Sequence, residues 1–160
     1  MKAIISLVLV VGATCTALTQ APQQPTLTIE TKSPTFEVGQ QIQVHIVLKN
    51  TTERAFTVFR STGGGSGEQY YSICVTGPNG NSAAFTEYGA AIEKNRNQIV
   101  PLSRKLVTVA PGEETDEYAL ISRMFEMTTA GTYTIQASRA SPLDSSATLK
   151  SNVLTITLGN

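Results

Sequence analysis

Chemistry in this chain would have to come from a short set of side chains. They are His45, the cysteines Cys15 and Cys74, the acidic run of Glu113, Glu114, Asp116 and Glu117, and the glycine-rich stretch from Gly63 to Gly67. A zinc hydrolase clusters nitrogen, sulfur or carboxylate ligands, and a serine or cysteine hydrolase sets a base beside its nucleophile. The chain has one histidine, and no motif builds a triad on it. His45 falls among the outward positions of an alternating segment, where a solvated or second-face side chain is expected. No catalytic, cofactor-binding or metal-ligating residue is assigned, and the chain is read as non-enzymatic.

The remaining candidates have plainer readings. A phosphate cradle requires a lysine after its last glycine and a helix that aims its N-terminus at the anion. Glu68 follows Gly67 instead and would repel phosphate, so a flexible loop is expected. The four carboxylates could draw calcium through oxygen ligation, but their spacing matches no calcium loop. A charged turn guarding an edge strand explains them without an ion. Cys74 alternates with Ile73 and Val75 and should face the opposite side. It is either a small buried apolar group or a free, reactive or intermolecular thiol. Burial is preferred, because no Lys or Arg adjoins it to activate the thiolate.

The start of the chain speaks to compartment. Behind Lys2, an apolar run from Ile4 to Val11 precedes the small and polar residues Gly12-Ala13-Thr14-Cys15-Thr16-Ala17, the order of a cleavable signal peptide. The run is shorter than the roughly 20 apolar residues a membrane span needs. Cleavage is expected after Ala17, or after Thr19. That gives residues 1–17 as the leader, 18–25 as a linker rich in proline and amide side chains, and 26–160 as one domain. A lipid anchor at Cys15 is disfavoured, because Thr14 stands where acylation wants Gly, Ala or Ser. The mature chain should be exported, periplasmic or secreted, with Cys74 as a lone thiol and no internal disulfide. Its 12 basic and 12 acidic residues form no basic stripe and no polybasic run. The expected partner is therefore a protein, with neither nucleic acid nor, once the leader is removed, a membrane.

The elements that would position these side chains are strands. Leu27 and Ile29 alternate with polar neighbours over 26–32, and Ile42, Val44, Ile46 and Leu48 do so before Asn50-Thr51-Thr52. Pro34 and Gly39 mark an irregular edge between them. Further strands are expected over 55–60, 71–76, 106–109, 131–137 and 152–158. Asn79-Gly80 should turn a hairpin that returns over 82–87, and 116–127 reads as a strand followed by a short helix. About seven to nine strands with turn residues between them and no long helical period predict an all-β, immunoglobulin-like antiparallel β-sandwich. The long connection from Tyr88 to Ser103 is the expected recognition surface. Tyr88, Ile92, Ile99 and Leu102 would be its apolar anchors, joined by Tyr70 and the glycine loop. Alternatively, Tyr88 and Ile99 simply pin that connection to the core. Asn50-Thr51-Thr52 would also interest a glycosylating host.

Four segments carry a family resemblance: Phe36-Glu37-Val38-Gly39-Gln40, Leu48-Lys49-Asn50-Thr51, Val109-Ala110-Pro111-Gly112-Glu113, and Ala130-Gly131-Thr132-Tyr133-Thr134-Ile135. Their order resembles bacterial exported immunoglobulin-like domains over about residues 26–158. The layout is similar to the bacterial intracellular proteinase inhibitor (BsuPI) family and to the β-sandwich segment of deuterolysin-type metalloproteases. These are turn and core positions, so the resemblance implies architecture rather than activity. No inhibitory loop motif maps onto this chain, the leader departs from an intracellular role, and there is no His-Glu-x-x-His segment. The expectation is an exported, non-enzymatic protein-binding domain, with a protease as the partner that the inhibitor resemblance implies. The alternative is a structural or accessory cell-envelope domain whose edge strands or Cys74 join copies.

Overall fold

The structure, a computed structural model, describes residues 23–62, 67–96 and 104–159. The expected leader with Cys15, the residues from Gly63 to Ser66, and both Ile99 and Leu102 lie outside the described residues. In chain order the elements are β1 (Thr26–Glu30), β2 (Thr35–Glu37), β3 (Gln43–Lys49), β4 (Phe56–Ser61), α1 (Gly67–Tyr70), β5 (Ser72–Thr76), α2 (Glu87–Asn95), β6 (Arg104–Val109), β7 (Glu114–Leu120), α3 (Ile121–Met124), β8 (Gly131–Ala140), β9 (Thr148–Lys150) and β10 (Leu154–Gly159). The fold is β-rich. Its strands fall where apolar and polar residues alternate, because that period puts every second side chain on one face.

β3 is the middle strand of an antiparallel sheet ordered β1-β3-β7. Its alternation buries Val44, Ile46 and Leu48 and turns His45 and Val47 to the other face. Ile46 stands opposite Ile29 on one side and Glu117 on the other. A second sheet runs β2-β10-β8-β5, with β9 also paired to β8. β2 adds in parallel to β10 and is short, since Pro34 before it has no N–H to give; its carbonyl still accepts from Thr157 N at 2.8 Å. β4 and β6 form a separate antiparallel ribbon. Asn152 joins the first two sheets by mimicking a strand partner. Its Oδ1 accepts from Ile29 N at 2.8 Å and its Nδ2 donates to Ile29 O at 3.0 Å. Buried residues of all three sheets merge into one core with Tyr71, Met124 and Phe125.

Two expectations need correction. Gly80 does take positive φ, at 78°, but residues 82–87 do not return as a strand. They make only isolated bridges, Thr76 with Ser82 and Phe85 with Phe125. The connection after Tyr88 is also not a loop throughout, because α2 fills its first half. Thr86 caps that helix: its Oγ accepts from Gly89 N at 3.0 Å and donates to Arg123 O at 2.6 Å. Gly89 then lies against α3 so closely that an added Cβ would stand 2.0 Å from Met124 O. Docking onto α3 is what stabilises so short a helix.

The tightest construction is the corner where β3 leads into β4 and β6 leads into β7. Asn50 N donates to Glu113 O and Gly112 N donates to Asn50 O, both at 2.8 Å. The Asn50 side chain, 0 % exposed, donates to Arg54 O and Val109 O at 2.9 Å each. Its Oδ1 accepts from Thr52 N at 3.0 Å and from Thr52 Oγ at 2.8 Å. All four of its hydrogen-bonding positions are used, so the folded chain offers no free Asn50 amide to a glycosyltransferase. Asn50→Ala strands several buried backbone groups, each of which costs about 1–3 kcal/mol when left unpaired. Urea unfolding should show a loss of about 3 kcal/mol, and a loss under 1 kcal/mol would show that this corner does not hold the strands.

Candidate functional site

Register gathers the most polar constellation on the outer face of β1-β3-β7. His45 stands opposite Glu30 of β1 and Tyr118 of β7. Its Nδ1 lies 3.0 Å from Glu30 Oε1 and its Nε2 lies 3.0 Å from Asp116 Oδ2. Arg60 of β4 donates to the other oxygen of Asp116 at 2.7 Å. The Tyr118 ring stacks on the imidazole with centroids 4.6 Å apart. A neutral imidazole has one N–H, so it can satisfy only one of two carboxylates, whereas the imidazolium satisfies both. Partial burial is the largest single influence and opposes the charge. The hydrogen bonds to Glu30 and Asp116, with their negative charge, together outweigh it and raise the His45 pKa above 6.5. A groove of about 600 Å³ runs beside this cluster, walled by Phe36, Tyr118 and Leu120 and edged by Gln40 and Gln43.

Behind this face, β7 turns a carboxylate inward. Glu117 is buried and accepts from Ser61 N at 2.8 Å. Burial pushes its pKa up, aided by Asp116 and Glu68, against the Ser61 hydrogen bond and the Arg60 charge. Glu68 of α1 is 2 % exposed and accepts from Tyr88 OH at 3.1 Å. Arg96 reaches from the end of α2 to the carbonyls of Glu68 and Tyr71. These contacts tie α1 to α2, while Glu117 ties β7 to β4. Among the described residues, no group of three or more His, Cys, Asp or Glu side chains could hold a metal ion. The acidic run is thus not simply a charged turn: Asp116 and Glu117 serve opposite faces of β7, while Glu113 and Glu114 remain exposed.

The ribbon presents a different surface. Phe56, Val58 and Val109 are buried, whereas Phe59 and Leu106, directly opposite each other, are 44 % and 61 % exposed. The Arg104 guanidinium covers the Phe59 ring at 4.2 Å, a cation–π contact. Two large apolar side chains paired across exposed strands form a patch that a solvated turn would not need.

The residues expected to form a recognition surface are only partly where the sequence placed them. Tyr70 lies on α1 and Tyr88 on α2, both partly buried against the core. Tyr88 is held by Glu68 and by Arg123, whose guanidinium is 3.8 Å from its ring. Ile92 is 5 % exposed and part of the core, so it packs inward because the helix turns that face to α3. Cys74 is a free thiol and is exposed rather than buried, since no described residue covers the outward side of β5. Phe59 and Leu106 were missed because a β-run rich in Phe and Val reads as buried on both faces. The signal available was Arg104-Lys105 ahead of Leu106, a charged edge.

No family model and no curated protein sequence matches this chain. Among solved structures, a β-glucosidase from Erythrobacter marinus aligns at 13 % identity over 84 % of this chain, with a TM-score of 0.39. The alignment spans 16 % of the β-glucosidase, and similarity at that level transfers neither fold nor activity.

His45 sets a pH dependence whose sign is fixed by its raised pKa. Its contribution is complete below the unfolded value of about 6.5 and is lost as pH rises through the folded value. The thermal stability of the parent chain should therefore fall above pH ~6.5 relative to that of His45→Gln, which lacks the titration. An NMR titration placing His45 at or below 6.5 would refute this.

Proposed function

We propose that this chain is an exported, non-enzymatic protein-binding domain with an immunoglobulin-like sandwich as its scaffold. Three features support the scaffold. The β1-β3-β7 and β2-β10-β8-β5 sheets share a single core. Both β9 and β10 belong to the second sheet, and between them Asn152 reaches across to the backbone of β1 in the first. Tyr133, near the start of β8, donates its hydroxyl back to Thr129 O at 2.9 Å, the arrangement of a tyrosine corner in such sandwiches.

The observation that carries the binding reading is the exposed Phe59–Leu106 pair on the ribbon. Aromatic and aliphatic side chains held on a rigid ribbon lose little conformational freedom on association, which favours them as anchors at protein interfaces. Apart from the Arg104 guanidinium over Phe59, their exposed surface gains no packing from the described residues. The family resemblance adds a protease as the class of partner to try first. His45, with both ring nitrogens engaged by carboxylates, acts in this reading as a clamp across three strands rather than as a base.

A photo-cross-linker placed at position 59 or 106 in the mature chain should trap a discrete protein from the exported fraction. The same probe at Val153, also exposed, should not. Phe59→Ser should abolish the adduct while leaving the thermal midpoint within a few degrees, because an exposed side chain contributes little to folding. Equal labelling from all three positions, or none, would remove the reading.

A further inference from the structure

Resting on the protein-binding reading, we propose that the ribbon receives an extended acidic and apolar segment of its partner, added as a third strand along the open edge of β6. Two edges of the β4–β6 ladder are distinguishable. The β4 edge is turned to β7, because Ser61 N donates to Glu117 and Arg60 pairs with Asp116. β6 has β4 on one side and no strand on the other among the described residues. An unpaired strand edge is a template for main-chain hydrogen bonds, and side chains at alternate positions then supply selectivity.

Charge decides what the template accepts. The ribbon carries Arg60, Arg104 and Lys105 and no carboxylate. Arg60 is neutralised by Asp116, whereas Arg104 and Lys105, both exposed, make no ion pair with any described residue. Lys105 also stands directly opposite Arg60, where like charges disfavour one another. A second copy of this ribbon would bring three further cations and no anion, so the chain is a poor partner for its own β6 edge. A strand added antiparallel to β6 places successive residues opposite Leu106, Lys105 and Arg104. The complementary order is an apolar residue followed by two acidic ones. The apolar residue then lies beside Leu106 and Phe59 on the outer face, and the acids meet Lys105 and Arg104.

The test uses two capped peptides, Val-Thr-Val-Val-Glu-Glu and Val-Thr-Val-Val-Lys-Lys, added to the ¹⁵N-labelled mature chain at low salt. The acidic peptide should shift and protect the amides of residues 104–109, bind at least about tenfold more tightly than its lysine counterpart, and weaken as salt is raised. In the double variant R104E/K105E the preference should reverse. The milder R104Q/K105Q should lose it, with unchanged thermal unfolding showing that each variant is folded. Equal binding of the two peptides, shifts confined to other strands, or no binding overturns the proposal. Should cross-linking at Phe59 still trap a partner while neither peptide engages β6, the added-strand inference fails and the protein-binding reading stands. Failure of both experiments removes both.

Discussion

A single buried amide fixes how the two halves of this molecule meet. Asn50 sits where the β3–β7 ladder gives way to the β4–β6 ribbon, at a point where the paired passages of chain change direction together. A change of direction interrupts the ladder and leaves backbone groups without partners, which is costly in a buried place. The Asn50 side chain supplies those partners: the Arg54 carbonyl in the bend before β4 and the Val109 carbonyl at the end of β6 receive its N–H groups, and its oxygen takes both donors of Thr52. The ribbon can therefore stand off the main sheet without its root being exposed to water.

From that corner, the distribution of charge follows. β7 enters directly after it with an acidic sequence, and strand alternation divides the acids between two faces. Asp116 goes outward to His45 and Arg60, while Glu117 goes inward to the amide of Ser61. Both thereby hold the β4 side of the ribbon against β7. The other ribbon strand, β6, is left as the outermost one, with Leu106 opposite Phe59. The same constraint that anchors one edge of the ribbon leaves the other edge without a strand partner among the described residues, with its apolar pair exposed.

His45 shows how a surface residue can bind several elements at once. It lies on the central strand, so its ring reaches carboxylates on both neighbours. The Glu30 side of this clamp is well exposed and screened, and surface pairs of that kind are weak. Asp116 is less exposed and is held in turn by Arg60. The clamp therefore leans toward β7 and, through it, toward the ribbon.

Alternation alone determined the β-rich class and the position of most strands, since Leu27, Ile29, Val44, Ile46, Ile73 and Val75 can only be buried together if each segment is extended. The strand followed by one helical turn after Asp116 was legible for the same reason. What the sequence could not decide is which of two amphipathic faces is covered. Cys74 is exposed because no described residue covers that side of β5, and Ile92 is buried because Gly89 lets a short helix settle on Met124 O. Thr86 caps this helix although its segment, 82–87, reads as a returning strand, because nine residues gain their stability from that docking rather than from propensity. The meeting of Glu30, His45, Asp116 and Arg60, and the exposure of Phe59 and Leu106, belong to the tertiary structure alone. Register and sheet order bring residues far apart in the chain to one face, and local sequence specifies neither.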